Sequence, residues 1–393
     1  MISIVSLFDN CGNFQYIVNM EELFNNKSAK IQQLRNTNIE KICHQLFKKP
    51  MSGAELAVAT DISTASASKI LRQMSELALV SKRNDDGIAR AIGRQHERYE
   101  LNAGKAHVIC LNLTYLNEFF LVFDFAGNEV YHESLALPYE LTRSEIDALF
   151  HRIKGVIAEK SYNVGFFVFS VPGQVHSETG ELFLSSSRLK TMLGTIFKSI
   201  IQEQFFCDAL VANDVNFMVQ GRNGFDAIGR YSVYCYVGYG MAISMFCDGK
   251  ILSGINGYSG EIGKNVIDGE LLKTKCGARY YLEEARKIVP DADYNDIKTL
   301  YAGNEEFRAI VLNSAKFLAQ SLCNFCNILA FDRLIFSGII CDFDDAFFEV
   351  IEKYFAEHSS VSVRIGKGKN EDVQKGMFML GFEAMLKGIL ASR

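Results

Sequence analysis

Three side chains in the second half of the chain have the type and setting to hold a hydroxyl-rich ligand. Asn213 and Asp214 close an apolar run, Ala209 to Ala212, and precede a helical stretch, Val215 to Gln220. A carboxylate at a strand end, aimed into a cleft, accepts hydrogen bonds from hydroxyls or takes a proton from one. Asn and Asp are equally at home as helix caps, so the pair alone leaves both roles open. Glu261 lies in Ser259-Gly260-Glu261-Ile262-Gly263, where glycines let the backbone approach a ligand closely. Phosphate transfer would need more, because a phosphate cradle is built from glycine-rich loops whose N–H groups converge. The stretch Leu111 to Asn117 has neither glycine nor acid, and Gly238-Tyr239-Gly240 and Ser337-Gly338 are only paired glycines.

A second chemistry lies upstream. Residues 31 to 47 place Ile31, Leu34, Ile39, Ile42 and Leu46 at helical spacing. Ser52 with Glu55 reads as a capping box opening a short helix through Ala59. Thr60 to Ser63 forms a turn, and a longer helix runs from about Thr64 to Leu77. On that helix Ala67, Ile70, Leu71, Met74 and Ala78 share one face. Thr64, Ser66 and Ser68 lie early, and Lys69, Arg72 and Gln73 sit on the outward side. Helix, tight turn and helix, with hydroxyls and cations on the free face, predict DNA recognition in the major groove. Asn84-Asp85-Asp86-Gly87 is a hairpin turn signal, so Leu79 to Arg98 reads as a wing carrying Arg90 and Arg94. Such arginines suit a narrow minor groove. Symmetric half-sites imply a homodimer or homotetramer on a double-stranded DNA operator.

Charge supports this division. Residues 27 to 105 hold 14 Lys/Arg and 8 Asp/Glu, a net +6, within a chain of net −5. The remainder is therefore acidic and repels DNA. At 393 residues the chain exceeds one hydrophobic core, so several domains are expected. Three are read: an N-terminal extension at 1–26, a winged helix-turn-helix at 27–105, and a two-lobed domain at 106–393. No apolar run reaches the roughly 20 residues of a membrane helix, and the N-terminus lacks the basic start of a signal peptide. Ten cysteines without repeated spacing fit reduced thiols, and a cytoplasmic location without membrane insertion is expected.

From Val108 onward, strand patterns at Val108 to Leu113, Phe119 to Phe125 and Gly165 to Val171 are followed by a second set. That set comprises Ala209 to Ala212, Ser232 to Val237 and Met241 to Cys247, with long helices at 307–329, 344–358 and 374–391. The fold class read from this is α/β: a winged helix-turn-helix followed by a duplicated ribonuclease-H-like (actin-like, sugar-kinase) fold.

Gly260-Glu261-Ile262-Gly263-Lys264 with Cys276-Gly277-Ala278-Arg279-Tyr280-Tyr281-Leu282-Glu283 resembles the signature of the ROK family (repressors, open reading frames and kinases). There the pattern is Gly-Glu-Ile-Gly-His, then Cys-x-Cys-Gly-x-x-Gly-Cys-Leu-Glu. Ser170-Val171-Pro172-Gly173 is similar to that family's Ala-Val-Pro-Gly, and Gly93-Arg94-Gln95 to its Gly-Arg-Pro. The resemblance implies that Asn213, Asp214, Glu261 and Glu283 contact a sugar, with Asp214 at the position of the kinases' proton acceptor. Lys264 stands where a sugar-touching histidine is found, which favours a sugar phosphate or acidic sugar. The zinc positions hold Lys264, Thr274, Cys276 and Tyr281, a set that cannot supply a tetrahedral His and three Cys. No metal and no other cofactor are expected. With the phosphate loop lost, the resemblance narrows to the Mlc/NagC-type repressors, implying a regulator with a catalytically inactive, sugar-sensing ROK domain. Alternatives are a sugar kinase and a regulator governed by a sugar-transport protein.

Overall fold

In the computed structural model the described residues are 7–8, 14–15, 20–83, 97–115, 117–185, 187–224 and 231–392. The chain folds as two compact units, one of Met1–Asn102 with Leu386–Arg393 and one of Ala103–Met385.

The smaller unit carries helices α1 (Met20–Leu46), α2 (Gly53–Thr60) and α3 (Thr64–Glu76). The Ser52 hydroxyl accepts from the Glu55 N–H at 3.3 Å, and Glu55 accepts from the Ser52 N–H at 2.7 Å. This capping box satisfies two N–H groups that a helix start otherwise leaves open. Asp61 takes the left-handed conformation (φ 55°) that ends α2, and Ser63 caps α3. Ile39, Ile42, Leu46, Leu56, Ala67, Ile70, Leu71 and Met74 form its interior. A small antiparallel sheet of Met51–Ser52, Arg98–Leu101 and Val80–Arg83 completes a winged helix-turn-helix. Helix α1 begins at Met20, well before residue 31, and Leu34 is 64 % exposed rather than buried. A helix of 27 residues, about 40 Å long, outruns the cover that short α2 and α3 provide.

The larger unit repeats one plan twice. Its first sheet has the order Asp208–Asn213, Val164–Val171, His107–Asn112, Phe119–Asp124, Glu129–Ser134. Its second has the order Arg364–Lys367, Arg333–Gly338, Tyr231–Val237, Met241–Cys247, Lys250–Ile251. In each, an antiparallel meander is extended by two parallel strands beside its first strand. This is the duplicated ribonuclease-H-like fold. Phe150, Phe167, Phe169, Phe197 and Phe205 fill the first lobe's core. Phe307, Leu318, Leu322, Phe336, Phe347 and Ile351 fill the second's. Helix Asp214–Asn223, which opens on the candidate site, crosses helix Glu371–Ala391 at Gly221 and Gly376. A Cβ at either glycine would strike the opposite helix's backbone, so the crossing depends on both lacking one.

Candidate functional site

The strand Asp208–Asn213 ends where its hydrogen-bonded ladder with Val164–Val171 ends, and the helix starting at Asp214 begins there. Asn213 caps that helix by accepting the Val215 N–H at 3.0 Å, and its amide donates to the Gly173 carbonyl at 2.9 Å. Capping and site roles therefore do not compete: the cap fixes the backbone that places Asp214. The Asp214 carboxylate is buried and accepts from the Val215 N–H at 3.0 Å. Its other oxygen lies 2.9 Å from the Thr114 hydroxyl, which is also 2.9 Å from Asn112 Oδ1. Burial pushes its carboxyl up to about 6, while the Thr114 and backbone hydrogen bonds pull it down.

Glu261 reaches the same space from the second lobe. Gly260 before it has φ 97°, and a Cβ there would collide with the Ile243 carbonyl. The loop can therefore lie flat on strand Met241–Cys247, where the Ile243 N–H donates to the Gly260 carbonyl at 2.9 Å. Gln174 donates to Glu261 Oε1 at 2.7 Å and to the Ser259 carbonyl at 3.3 Å. Lys264 stands 3.4 Å from Glu261 Oε2. Its charge is thus partly answered within the protein, which weakens its pull on an anionic ligand. Glu283, midway along helix Ala278–Ile288, pairs at the surface with Arg279 at 3.1 Å.

Asn213, Asp214, Glu261, Lys264 and Glu283 all line one cleft of about 730 Å³, with Thr114, Gln174 and Arg188. Those three escaped sequence reasoning. Thr114 lies in the stretch read only for its missing glycines. Gln174 follows Pro172-Gly173 directly, which is the one signal that pointed to it. Arg188 carried no signal. It is 1 % exposed and organises the loop after the first strand. Its guanidinium donates to the carbonyls of Leu113 (2.9 Å), Pro138 (3.1 Å) and Tyr139 (2.9 Å), and to Glu118 at 2.5 Å.

The side chains at the four zinc-type positions are engaged elsewhere. Thr274 donates to the Leu271 carbonyl at 2.8 Å and Lys264 faces Glu261. Burial pushes the Cys276 thiol up to about 11, so it is not a thiolate at neutral pH. Its sulfur lies 3.4 Å from the Tyr281 hydroxyl, which lies 2.7 Å from that of Ser314. These residues do not fit a zinc ion. Among the described residues there is no cluster of His, Cys, Asp and Glu suited to a metal, and no helix long and apolar enough to cross a membrane.

In the smaller unit, Thr64, Ser66, Ser68, Lys69 and Arg72 are exposed on α3, whereas Gln73 is half-buried. The Ser68 hydroxyl donates back to the Thr64 carbonyl at 2.9 Å. At the base of the wing Lys82 pairs with Glu97 and Arg83 with Glu100. Arg90 and Arg94 lie outside the described residues.

Among known proteins, a xylose repressor of Caldicellulosiruptor bescii is 20% identical over 380 residues, 87% of this chain and 94% of that protein. Among solved structures, a ROK family transcriptional regulator described as a homolog of the E. coli MLC protein matches with a TM-score of 0.75. The match is 16% identical and covers 92% of this chain and all of that one. A ROK hexokinase from Thermus thermophilus matches with a TM-score of 0.57 at 16% identity, covering 70% of this chain and 97% of that one. Both likenesses establish the fold. The ROK family model itself matches residues 117–380, and the chain belongs to the ROK family.

Proposed function

We propose that this chain is a DNA-binding transcriptional regulator, a repressor, whose ROK domain binds a sugar and transfers no phosphate. The observation that carries the reading is the junction of two facts at one cleft. Carboxylates and an amide suited to sugar hydroxyls line it, while the loop after the first strand has no glycine and is pinned by a buried arginine. A phosphate-cradling loop needs free, convergent N–H groups, and this one is built otherwise. The winged helix-turn-helix supplies the DNA contact through Thr64, Ser66, Ser68, Lys69 and Arg72, with Arg90 and Arg94 of the wing assigned to the minor groove. The chain acts as a homodimer or homotetramer in the cytoplasm. Asn213, Asp214, Glu261 and Glu283 take the hydroxyls, and Lys264 tunes Glu261. The similarity to a protein named a xylose repressor makes D-xylose the first effector to test. For regulation the sugar must prefer one arrangement of the protein, and its effect on DNA affinity cannot exceed that preference.

The test is calorimetry with D-xylose, D-glucose and D-glucose 6-phosphate, alongside gel shifts on the DNA flanking the chain's own gene. Losing Asp214 or Glu261 to alanine is expected to cost roughly 1–3 kcal/mol of sugar binding, because a hydroxyl is left unpaired. Lys69→Ala or Arg72→Ala is expected to weaken operator binding by about 1–3 kcal/mol where a base contact is lost. Phosphorylation of any sugar with magnesium and ATP would overturn the reading in favour of a kinase. Absence of sugar binding, with DNA binding intact, would transfer control to a protein partner such as a sugar transporter.

A further inference from the structure

The hydroxyl-binding end of the cleft is only part of its lining. Three tyrosine rings from three separate elements also converge on it. Tyr115 comes from the loop after strand His107–Asn112, and Tyr139 from the segment leading into helix Arg143–Lys160. Tyr239 comes from the turn after Tyr231–Val237 of the other lobe. Their centroids are 4.9 Å (Tyr115–Tyr139), 4.5 Å (Tyr139–Tyr239) and 6.0 Å (Tyr115–Tyr239) apart, at tilted or edge-on angles. Each ring is half-buried, and each lines the cleft. They touch one another and still present surface to the open space.

Two of these rings occupy equivalent places in the repeated plan, since Tyr115 and Tyr239 both follow the first strand of their sheets. These are the turns that would have to bring bare backbone N–H groups to a nucleotide's phosphates. Instead each carries an aromatic ring, and the rings meet across the cleft. The wall is also held before any ligand arrives. Arg188 donates to the Tyr139 carbonyl at 2.9 Å and lies 5.3 Å from the Tyr115 ring centre, while its far side is tied to Glu118. Thr114, adjacent to Tyr115, lies 2.9 Å from Asp214. Asp214 and the Tyr115 ring thus line one cleft from neighbouring backbone.

We propose that Tyr115, Tyr139 and Tyr239 form a specificity wall that accepts the C–H face of a single monosaccharide ring and shuts out nucleoside triphosphates. This rests on the sugar-binding reading above and adds what selects the ligand. A sugar ring has hydroxyls at its rim and a C–H face, so the carboxylates read the rim and the tyrosines read the face. The π-faces of the rings suit such C–H groups and give phosphates no N–H cluster, while the Arg188 guanidinium beside Tyr115 is already tied to Glu118 and to backbone carbonyls.

Calorimetry on wild type, Tyr115→Ala, Tyr239→Ala, Tyr239→Leu and Tyr239→Phe, with D-xylose, D-glucose, D-glucose 6-phosphate and magnesium ATP, tests the wall. Wild type is expected to bind a sugar and not ATP. Tyr239→Ala and Tyr115→Ala are expected to lose about 3- to 10-fold in sugar affinity, the worth of one aromatic contact. Tyr239→Leu, which keeps apolar bulk and so guards against a folding artefact, is expected to lose as much, and Tyr239→Phe to bind within about 2-fold of wild type. Sugar binding unchanged in both alanine variants and in Tyr239→Leu overturns the wall while leaving the sugar reading intact. ATP binding by wild type as tight as sugar binding also overturns it. A wild type that binds no sugar removes the sugar reading, and the wall with it.

Discussion

The loops that follow the first strand of each lobe occupy equivalent places and are held in opposite ways. In the first lobe, the loop after Asn112 is tied by a buried guanidinium, by Leu113 N–H to Ser170 O at 3.0 Å, and by the Asn112 amide to Asn117 O at 2.7 Å. In the second lobe, Gly238–Gly240 closes on backbone bonds, Gly238 N–H to Gly240 O at 2.9 Å and Ala278 N–H to Gly238 O at 3.0 Å. One topology therefore tolerates a loop stabilised by a buried charge and a turn held by backbone hydrogen bonds. The first arrangement fails badly when one partner is removed, and the second has little to lose.

The sharpest way to break this comparison is Arg188→Met. Glu118, 8 % exposed, would lose its guanidinium, and the variant is expected to be about 3–5 kcal/mol less stable in urea unfolding. Adding Glu118→Gln should recover part of that loss. A cost under about 1 kcal/mol would show the pair to be ornamental.

Asp214 gives the next largest effect, and it depends on pH. Its carboxyl is raised from 3.8 to about 6, chiefly by burial. The stability contributed by its protonated form is full below about 4 and is lost as pH rises through about 6. That shift corresponds to roughly 3 kcal/mol, as an order of magnitude. Asp214→Asn, which never ionises, is therefore expected to gain on wild type in thermal midpoint between pH 4 and pH 7. A constant difference across that range would contradict the burial argument.

In the second lobe, Tyr281→Phe removes the hydroxyl between Cys276 and Ser314, while Ser314 keeps its bond to the Val311 carbonyl at 2.7 Å. The expected cost is about 0.5–1.5 kcal/mol, the net worth of one hydrogen bond. Chelation with EDTA is expected to leave the wild-type melting temperature unchanged, because these positions do not fit a zinc ion. A clear fall on chelation would restore a metal to this region. Smallest of all, Gly240→Ala meets nothing within 4 Å and is expected to shift stability by less than about 0.5 kcal/mol. A larger loss would show that this turn is constrained as tightly as its counterpart in the first lobe.

Local signals were legible without coordinates. Ser52 and Glu55 announced their own capping box because both partners lie within one turn. Helix and strand patterns marked the helix-turn-helix and six strands, but the run Ala209 to Ala212, grouped by its place in the chain with the second set, pairs in the first sheet beside Val164–Val171. Glu129–Ser134, Arg333–Gly338 and Arg364–Lys367 were not legible as strands. The glycines around Glu261 and the Asn213-Asp214 step at a strand end pointed to a cleft, and the residues chosen there do line one. The start of α1 was not legible, because nothing in the composition of residues 20 to 30 marks where the helix begins.

By itself the sequence determined the helix-turn-helix, several strands, the Ser52–Glu55 capping box, and a basic stretch at 27–105 in an otherwise acidic chain. Each of these depends on residue type at short spacing. Only the tertiary structure decided that Thr114 meets Asp214 across 100 positions, that Gln174 holds Glu261 across 87, and that Arg188 reaches back 70 to Glu118. It also decided that tyrosines from two lobes meet in the cleft. Such pairings are set by how two sheets and their loops pack. A polar or aromatic side chain has no period that names its distant partner; burial selects the partner once the chain has folded.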